Sequence, residues 1–215
     1  MPGVRIEELT IADEPGAWSV LGFEVEEDMC RVGSVTLRLA GPAIGRGIVG
    51  WTLRGVAGEQ LDGLPTARAD AANASDPAED PPPHPNGVTA LDHVVAITPA
   101  LDRTVRALQA AGLDLRRVRE QPTPAGAPRQ AFFRLGGVIL EVVQAPEDAI
   151  ERSGGPDGPA FFWGLAFKVA DIDATVAFLG EERCSAARPA VQPGRRIATL
   201  RRAAGSSVAV ALMTE

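Results

Sequence analysis

The stretch Leu91-Asp92-His93-Val94-Val95-Ala96-Ile97-Thr98-Pro99 carries the local pattern that decides the fold. Leu91 to Thr98 alternates like a strand, and Thr98 and Pro99 suit the N-cap and first position of a helix. Leu101, Val105 and Leu108 then fall on one helical face, and Gly112 supplies the stop. Three β-like runs follow: Leu115 to Glu120, Gln130 to Leu135 and Val138 to Gln144. The order is strand, helix, strand, strand, strand.

This order recurs. Ile172, Val176 and Leu179 repeat the helical spacing 71 positions later and are followed by Gly180. Ala186 to Gln192, Ile197 to Arg202 and Val208 to Thr214 then supply the three further runs. Nearer the start, Val4 to Ala12 reads as a strand. Ala17 to Val25 matches Ala107 to Leu115, and Val35 to Gly41 matches Ala131 to Gly137. The pattern predicts three βαβββ copies, the first with a shortened helix. By this reading Arg38, Arg134 and Arg201 share one position on the third strand.

Two breaks separate the copies. Residues 57–87 are rich in Pro, Ala and Asp and read as an exposed linker in which His84 is a spacer; residues 146–159 form a shorter Gly/Pro break. The expected organisation is a divergent module over 1–56, a linker over 57–87, a central module over 88–145, a linker over 146–159 and a last module over 160–215. One such module buries only one face of its sheet, so copies associate in pairs. Three copies leave one over, which either caps the pair or pairs with its counterpart in a second chain, and the second option predicts a homodimer. The middle and last copies have the shorter connection and are the preferred pair.

Composition limits what these modules do. Of 215 residues, 45% are hydrophobic, and 28 acidic against 21 basic side chains leave a net charge of −7. That balance repels phosphate backbones and anionic lipid, so neither nucleic acid nor membrane is an expected partner. The longest apolar runs fall far short of the ~20 residues that a bilayer requires. The N-terminus lacks the basic start and apolar stretch of a secretory signal, which predicts a cytoplasmic protein. Cys30 and Cys184 read as reduced, structural thiols.

The runs Leu91 to Ile97, Leu101 to Val105 and Val138 to Val143 resemble the vicinal oxygen chelate superfamily, which includes glyoxalase I, extradiol dioxygenases, methylmalonyl-CoA epimerase and the bleomycin resistance proteins. The resemblance spans Leu91 to Gln144 and, more weakly, Phe162 to Thr214 and Val4 to Val56. It implies an α+β, glyoxalase-like fold of repeated βαβββ modules whose curved mixed sheets surround a cleft. Metal-dependent members take a His or Glu from the first strand of a module and a Glu from the last. His93 and Glu141 match those positions, with Glu8 as the counterpart of His93 in the first copy and Arg54 standing opposite Glu141. In the last copy the counterparts are Gly164 and Ala211, neither of which binds a metal.

Strand period alone places His93 with Val95 and Ile97, and Glu141 with Ile139 and Val143. A carboxylate among aliphatics must be paired, protonated or bound to a cation. Two readings of function follow, beside a third in which the chain is a dimeric scaffold whose cleft has degenerated. One is an isomerase, epimerase or lyase acting on a small molecule, with Glu141 as base or with a divalent ion (Zn, Ni, Mn, Co or Fe) on His93, Glu141 and Glu8. The other is a metal-free binding protein of the sequestering type. Arg134, Phe132, Trp163 and Arg54 are the candidate ligand-binding residues in either case. Oxidative ring cleavage fits poorly, because the chain offers one usable histidine.

Overall fold

The structure is a computed structural model and describes residues 3–69, 84–123, 126–152 and 155–215. Its strands are β1 (Arg5–Ile11), β2 (Met29–Val32), β3 (Val35–Leu39), β4 (Ile48–Arg54), β5 (Thr66–Arg68), β6 (Val88–Thr98), β7 (Asp114–Arg119), β8 (Gln130–Leu135), β9 (Val138–Gln144), β10 (Phe161–Val169), β11 (Arg188–Pro189), β12 (Arg196–Thr199) and β13 (Ala209–Met213). The helices are α1 (Pro15–Val20), α2 (Leu101–Ala110), α3 (Glu147–Arg152) and α4 (Ile172–Leu179). The strands run in two sheets, ordered β2-β3-β1-β4-β5 and β11-β12-β13-β10-β6-β9-β8-β7. The expected α+β class and the middle and last βαβββ copies are present.

Local chemistry explains the helix limits. Asp171 caps α4 by accepting from the Asp173 and Ala174 amides, and Gly180 ends that helix at a φ of 77° that favours glycine. The expected start of α2 is displaced by two residues. Thr98 stays in β6, where its hydroxyl accepts from the Ala100 amide, and the helix begins at Leu101.

One register recurs in each copy. The first strand pairs in parallel with the last: β1 with β3 (Glu8 opposite Thr36), β6 with β9 (His93 opposite Ile139) and β10 with β13 (Gly164 opposite Ala209). A fourth such pair exists, β4 with β5, with Trp51 opposite Thr66. It lies partly in the segment read as linker, where a three-residue strand leaves no hydrophobic period to find. The indole N–H of Trp51 donates to the Thr66 hydroxyl at 2.7 Å and helps fix the pair. Three copies with an odd one over are thus replaced by three copies and a fourth first-and-last strand pair. The premise of the dimer expectation goes with them.

Two further readings need correction. β3 pairs with β1 as a last strand does, so Arg38 is not the counterpart of Arg134. His84 is not a solvated spacer: it is 5% exposed, its Nδ1 accepts from the Glu24 amide at 3.0 Å, and its ring lies 5.3 Å from that of Phe23. The centre of the expected linker, residues 70–83, lies outside the described residues.

The described chain divides into two compact units. Unit I holds residues 3–7, 50–69, 93–123, 126–152 and 155–163; unit II holds 8–49, 84–92 and 164–215. In unit II, Trp18 of α1 is fully buried against Phe23 and Phe167, and Leu9, Ile11, Leu37 and Leu39 complete the core. Asp13 ties the first copy to the last by accepting from Trp18 Nε1, the Ser206 hydroxyl and the Ser207 amide. Unit I is built on the middle copy. Its β4–β5 connection runs along α2, with the Ala57 amide donating to the Ala111 carbonyl and Asp62 accepting from Arg103 and Thr104.

Candidate functional site

Unit I contains a sheet with one sealed face and one open face. Val94, Ala96, Ala131, Phe133, Leu140 and Val142 are fully buried on the face that α2 covers with Leu101, Thr104 and Leu108. The alternate residues point the other way, and the registers arrange them in three transverse rows. Arg134, Ile139 and His93 form one row; Arg117, Phe132, Glu141 and Val95 form the next; Arg119, Gln130, Val143 and Ile97 form the third. His93, Ile97, Phe132, Ile139, Glu141 and Val143 are all partly exposed.

Glu141 stands at the centre of this lattice. One carboxylate oxygen accepts a short hydrogen bond from Gln130 Nε2, and the other lies 3.7 Å from His93 Nε2. The side chains of His93 and Glu141 are only 16% and 18% exposed, and Gln130 is 8% exposed. A partly desolvated acid needs such partners, and a diagonal neighbour on each side supplies them. The arrangement can hold one carboxylate oxygen in place and present the other, beside an imidazole, to a molecule on the open face.

Aromatic side chains flank this centre. The Arg117 guanidinium lies over the Phe132 ring, 4.9 Å from its centroid. Phe162 packs edge-on against the buried Trp51 of β4, with ring centroids 5.0 Å apart. Phe161 and Trp163, its neighbours in β10, alternate to the opposite side of that strand from Phe162. They are 51% and 53% exposed.

The structure brings together His93, Glu141, Phe132 and Arg134 on this face, whereas Trp163 lies at the exposed start of β10 with the opposite alternation to Gly164, the counterpart of His93. Arg134 is exposed, and its Nε donates to the Gly136 carbonyl. Arg54 is engaged elsewhere, with its Nε 2.7 Å from the Glu7 carboxylate. Burial opposes ionisation of Glu7, yet hydrogen bonds and charge from Arg5 and Arg54 outweigh it and hold this acid below the usual carboxylate range. Glu8 belongs to unit II, where Arg38 takes both of its carboxylate oxygens. The register also replaces the expected Arg54 by Arg38. Glu141 lies two residues beyond the partner of His93, and Arg38 lies two beyond the partner of Glu8. The same rule leads from Gly164 to Ala211, as expected.

The donor set can be tested against a divalent metal. A separation of 3.7 Å suits two ligands of one ion, but a catalytic site keeps about three protein ligands. Among the described residues no group of three His, Cys, Asp or Glu side chains comes together. One Glu141 oxygen is also committed to the Gln130 amide. The expected set of His93, Glu141 and Glu8 is not assembled, and these residues do not fit a resident metal.

Gln130, Arg117 and Arg119 are the members of the face that the sequence did not single out. Gln130 was accessible from strand period, two places from Phe132. The arginines were not, because a bulge between Leu115 and Arg117 breaks the alternation of β7 and turns Arg117 and Arg119 to the Phe132 side.

Comparison with known proteins places the architecture. No protein-family model matches the chain, and no curated protein matches it. Among solved structures it resembles a xylose isomerase-like TIM barrel/4-hydroxyphenylpyruvate dioxygenase fusion protein, at 14% identity and a TM-score of 0.60 over 98% of this chain and 49% of the other. The chain has the vicinal oxygen chelate fold. It spans about half of the fusion protein. Methylmalonyl-CoA epimerases are also similar over a shorter range. The Mycobacterium tuberculosis protein is 19% identical, with a TM-score of 0.48 over 60% of this chain and 89% of its own. A Streptomyces coelicolor variant in complex with 2-nitronate-propionyl-CoA is 22% identical, with a TM-score of 0.48 over 60% and 95%. The resemblance read in the central copy therefore holds for the vicinal oxygen chelate fold, which hosts many chemistries. Among the described residues no helix is long and apolar enough to cross a membrane.

Proposed function

We propose that this vicinal oxygen chelate chain is a small-molecule isomerase or epimerase that moves a proton at a carbon beside a carbonyl, with Glu141 as the base. The observation that carries this reading is the unequal holding of the two Glu141 oxygens, one by Gln130 and the other facing His93 on a half-open face. Glu141 takes the proton from carbon, the electron pair moves onto the carbonyl oxygen, and His93 Nε2–H donates to the enolate that results. Return of the proton to carbon completes the isomerisation. No step depends on a metal.

The test is deuterium exchange. Protein in D2O is offered 2-oxo acids, thioesters and hydroxyketones, and mass spectrometry follows label at the carbon next to the carbonyl. Exchange by the wild type and its loss in Glu141→Gln supports the reading. Exchange that persists in Glu141→Gln overturns it.

A second reading, ligand binding without turnover, draws on the partly exposed Phe132 opposite Glu141. It predicts that aromatic metabolites raise the melting temperature of wild type and Glu141→Gln alike, with no exchange in either.

A further inference from the structure

The proposed proton-transfer site leaves open what kind of molecule reaches Glu141, and β7 bears on that question. Arg117 and Arg119 point to the open face and stand two residues apart in neighbouring rows. Among the described residues neither meets a carboxylate. Asp114 and Glu120, the acids flanking this strand, are taken by Arg116 and Arg129. In a chain with 28 acidic and 21 basic residues, two adjacent guanidiniums left without acidic partners, one of them over the partly exposed Phe132 ring, form a local excess of positive charge. Other arginines of this chain do meet acids: Arg38 of β3 has Glu8 and Asp28, and Arg195, just before β12, has Asp92.

We infer that this face binds an organic anion, with its carboxylate or phosphate on Arg117 and Arg119 and its flat or apolar body against the side of Phe132 that Arg117 leaves uncovered. The inference rests on the reading of this face as a ligand site and adds the class of ligand. Guanidiniums match a carboxylate or phosphate through paired N–H donors, and an aromatic ring takes the body by stacking. The second row sets the scale. Arg117, Phe132 and Glu141 stand on three successive strands, so the outer two are about 10 Å apart in backbone. One ring or a short chain spans that interval and carries a carbon beside a carbonyl to Glu141. Placing the charge at the β7 end also keeps it away from the Glu141 carboxylate.

Benzoate, phenyl phosphate and the uncharged benzamide serve as probes, with affinity read from amide shifts in nitrogen-labelled protein. At least one of the two anions is expected to bind about tenfold or more tightly than benzamide, with shifts centred on β7 and β8. The better anion identifies the head group. The Arg117→Gln, Arg119→Gln double variant is expected to lose that preference, and the Arg117→Lys, Arg119→Lys pair to keep part of it. Should the glutamine pair fail to fold, the lysine pair and the fall of anion affinity with added salt carry the test. Equal binding of benzamide and the anions overturns the inference, and so does anion binding unchanged in a folded glutamine pair. Deuterium exchange on neutral carbonyl compounds without anion binding removes this inference and leaves the proton-transfer reading. Anion binding without exchange does the reverse.

Discussion

Arg38 occupies in the first copy the position that Glu141 occupies in the middle copy. Each lies two residues beyond the partner of a first-strand side chain, Glu8 in one case and His93 in the other. The first copy closes on itself: Arg38 Nη2 reaches Glu8 at 3.1 Å and Arg38 Nη1 reaches Asp28 at 2.9 Å. In the middle copy the two groups are 3.7 Å apart, and one oxygen faces a weaker partner. One lattice thus carries a satisfied ion pair at one place and a site able to receive a ligand at another.

That contrast predicts opposite outcomes for two carboxylate-to-amide changes. Glu8→Gln breaks a half-exposed pair and is expected to cost about 0–1 kcal/mol in urea unfolding, with exchange activity retained. Glu141→Gln is expected to lower turnover by about 10²–10⁴-fold, the usual contribution of a positioned general base. Loss of activity in both variants would count against the division drawn between the copies.

Gln130 acts on Glu141 and not on substrate. Gln130→Leu keeps the volume but removes the donor to a partly buried carboxylate, at an expected cost of about 1–3 kcal/mol. Without the Gln130 donor the carboxylate is held less firmly in its orientation, so the fall is expected in kcat more than in KM. Gln130→Asn, whose amide is one carbon shorter, restores little of it. Unfolding curves and steady-state kinetics on the two variants check the point; an unchanged kcat in Gln130→Leu refutes the positioning role.

With two protein donors at one centre, metal loading should be weak. Protein purified without chelator is expected to hold well under one equivalent of zinc, nickel, manganese, cobalt or iron by elemental analysis, and dialysis against EDTA is expected to leave its melting temperature unchanged. One tightly held equivalent that disappears in both His93→Ala and Glu141→Ala would reinstate the metal reading.

The strand, helix, three-strand order was legible because Leu101 and Leu108, and Ile172 and Leu179 at the same spacing, are buried on one helical face, with Val105 and Val176 partly buried beside them, which leaves a period in the sequence. His93 and Glu141 were singled out by the resemblance, which points to one position on the first strand and one on the last, and Glu141 also stood out as an acid that breaks an apolar strand pattern. β5 was not legible, since three residues ordered by pairing with β4 leave no period. Nor was the aim of Arg117, because a bulge is a property of two strands and cannot be read from one. His84 was misread because proline neighbours mark local backbone and say nothing of a tertiary partner as remote as the Glu24 amide.

Burial of His84 has a consequence for pH. Desolvation pushes this imidazole below its ordinary value of 6.5, against the opposing pull of Glu24, so the folded state prefers it neutral. The unfolded chain binds the proton more readily. The stability it contributes is therefore complete above the unfolded value and is lost as pH falls through about 6.5 toward the depressed folded value. His84→Asn, with an amide oxygen near the position of Nδ1, is expected to flatten the decline of melting temperature between about pH 7 and 5. A slope identical to wild type would show that His84 does not titrate with folding.

Gly63 tests the β4–β5 connection of unit I. Its φ is 90°, where a side chain is strained, and a Cβ built there would stand 2.3 Å from Pro159 Cβ. Neither neighbour can yield easily. Proline has a rigid ring, and the next residue along, Ala160, is fixed by donating its amide to the Asp62 carbonyl at 2.8 Å. Gly63→Ala therefore adds overpacking to backbone strain, and about 2–5 kcal/mol of destabilisation is expected from the two together. The same change at Gly58, where a Cβ meets nothing within 4 Å and φ is not in the strained range, is expected to be nearly neutral. Urea unfolding of the two variants separates the cases. If Gly63→Ala is no less stable than Gly58→Ala, residues 155–160 do not pack on this connection as described.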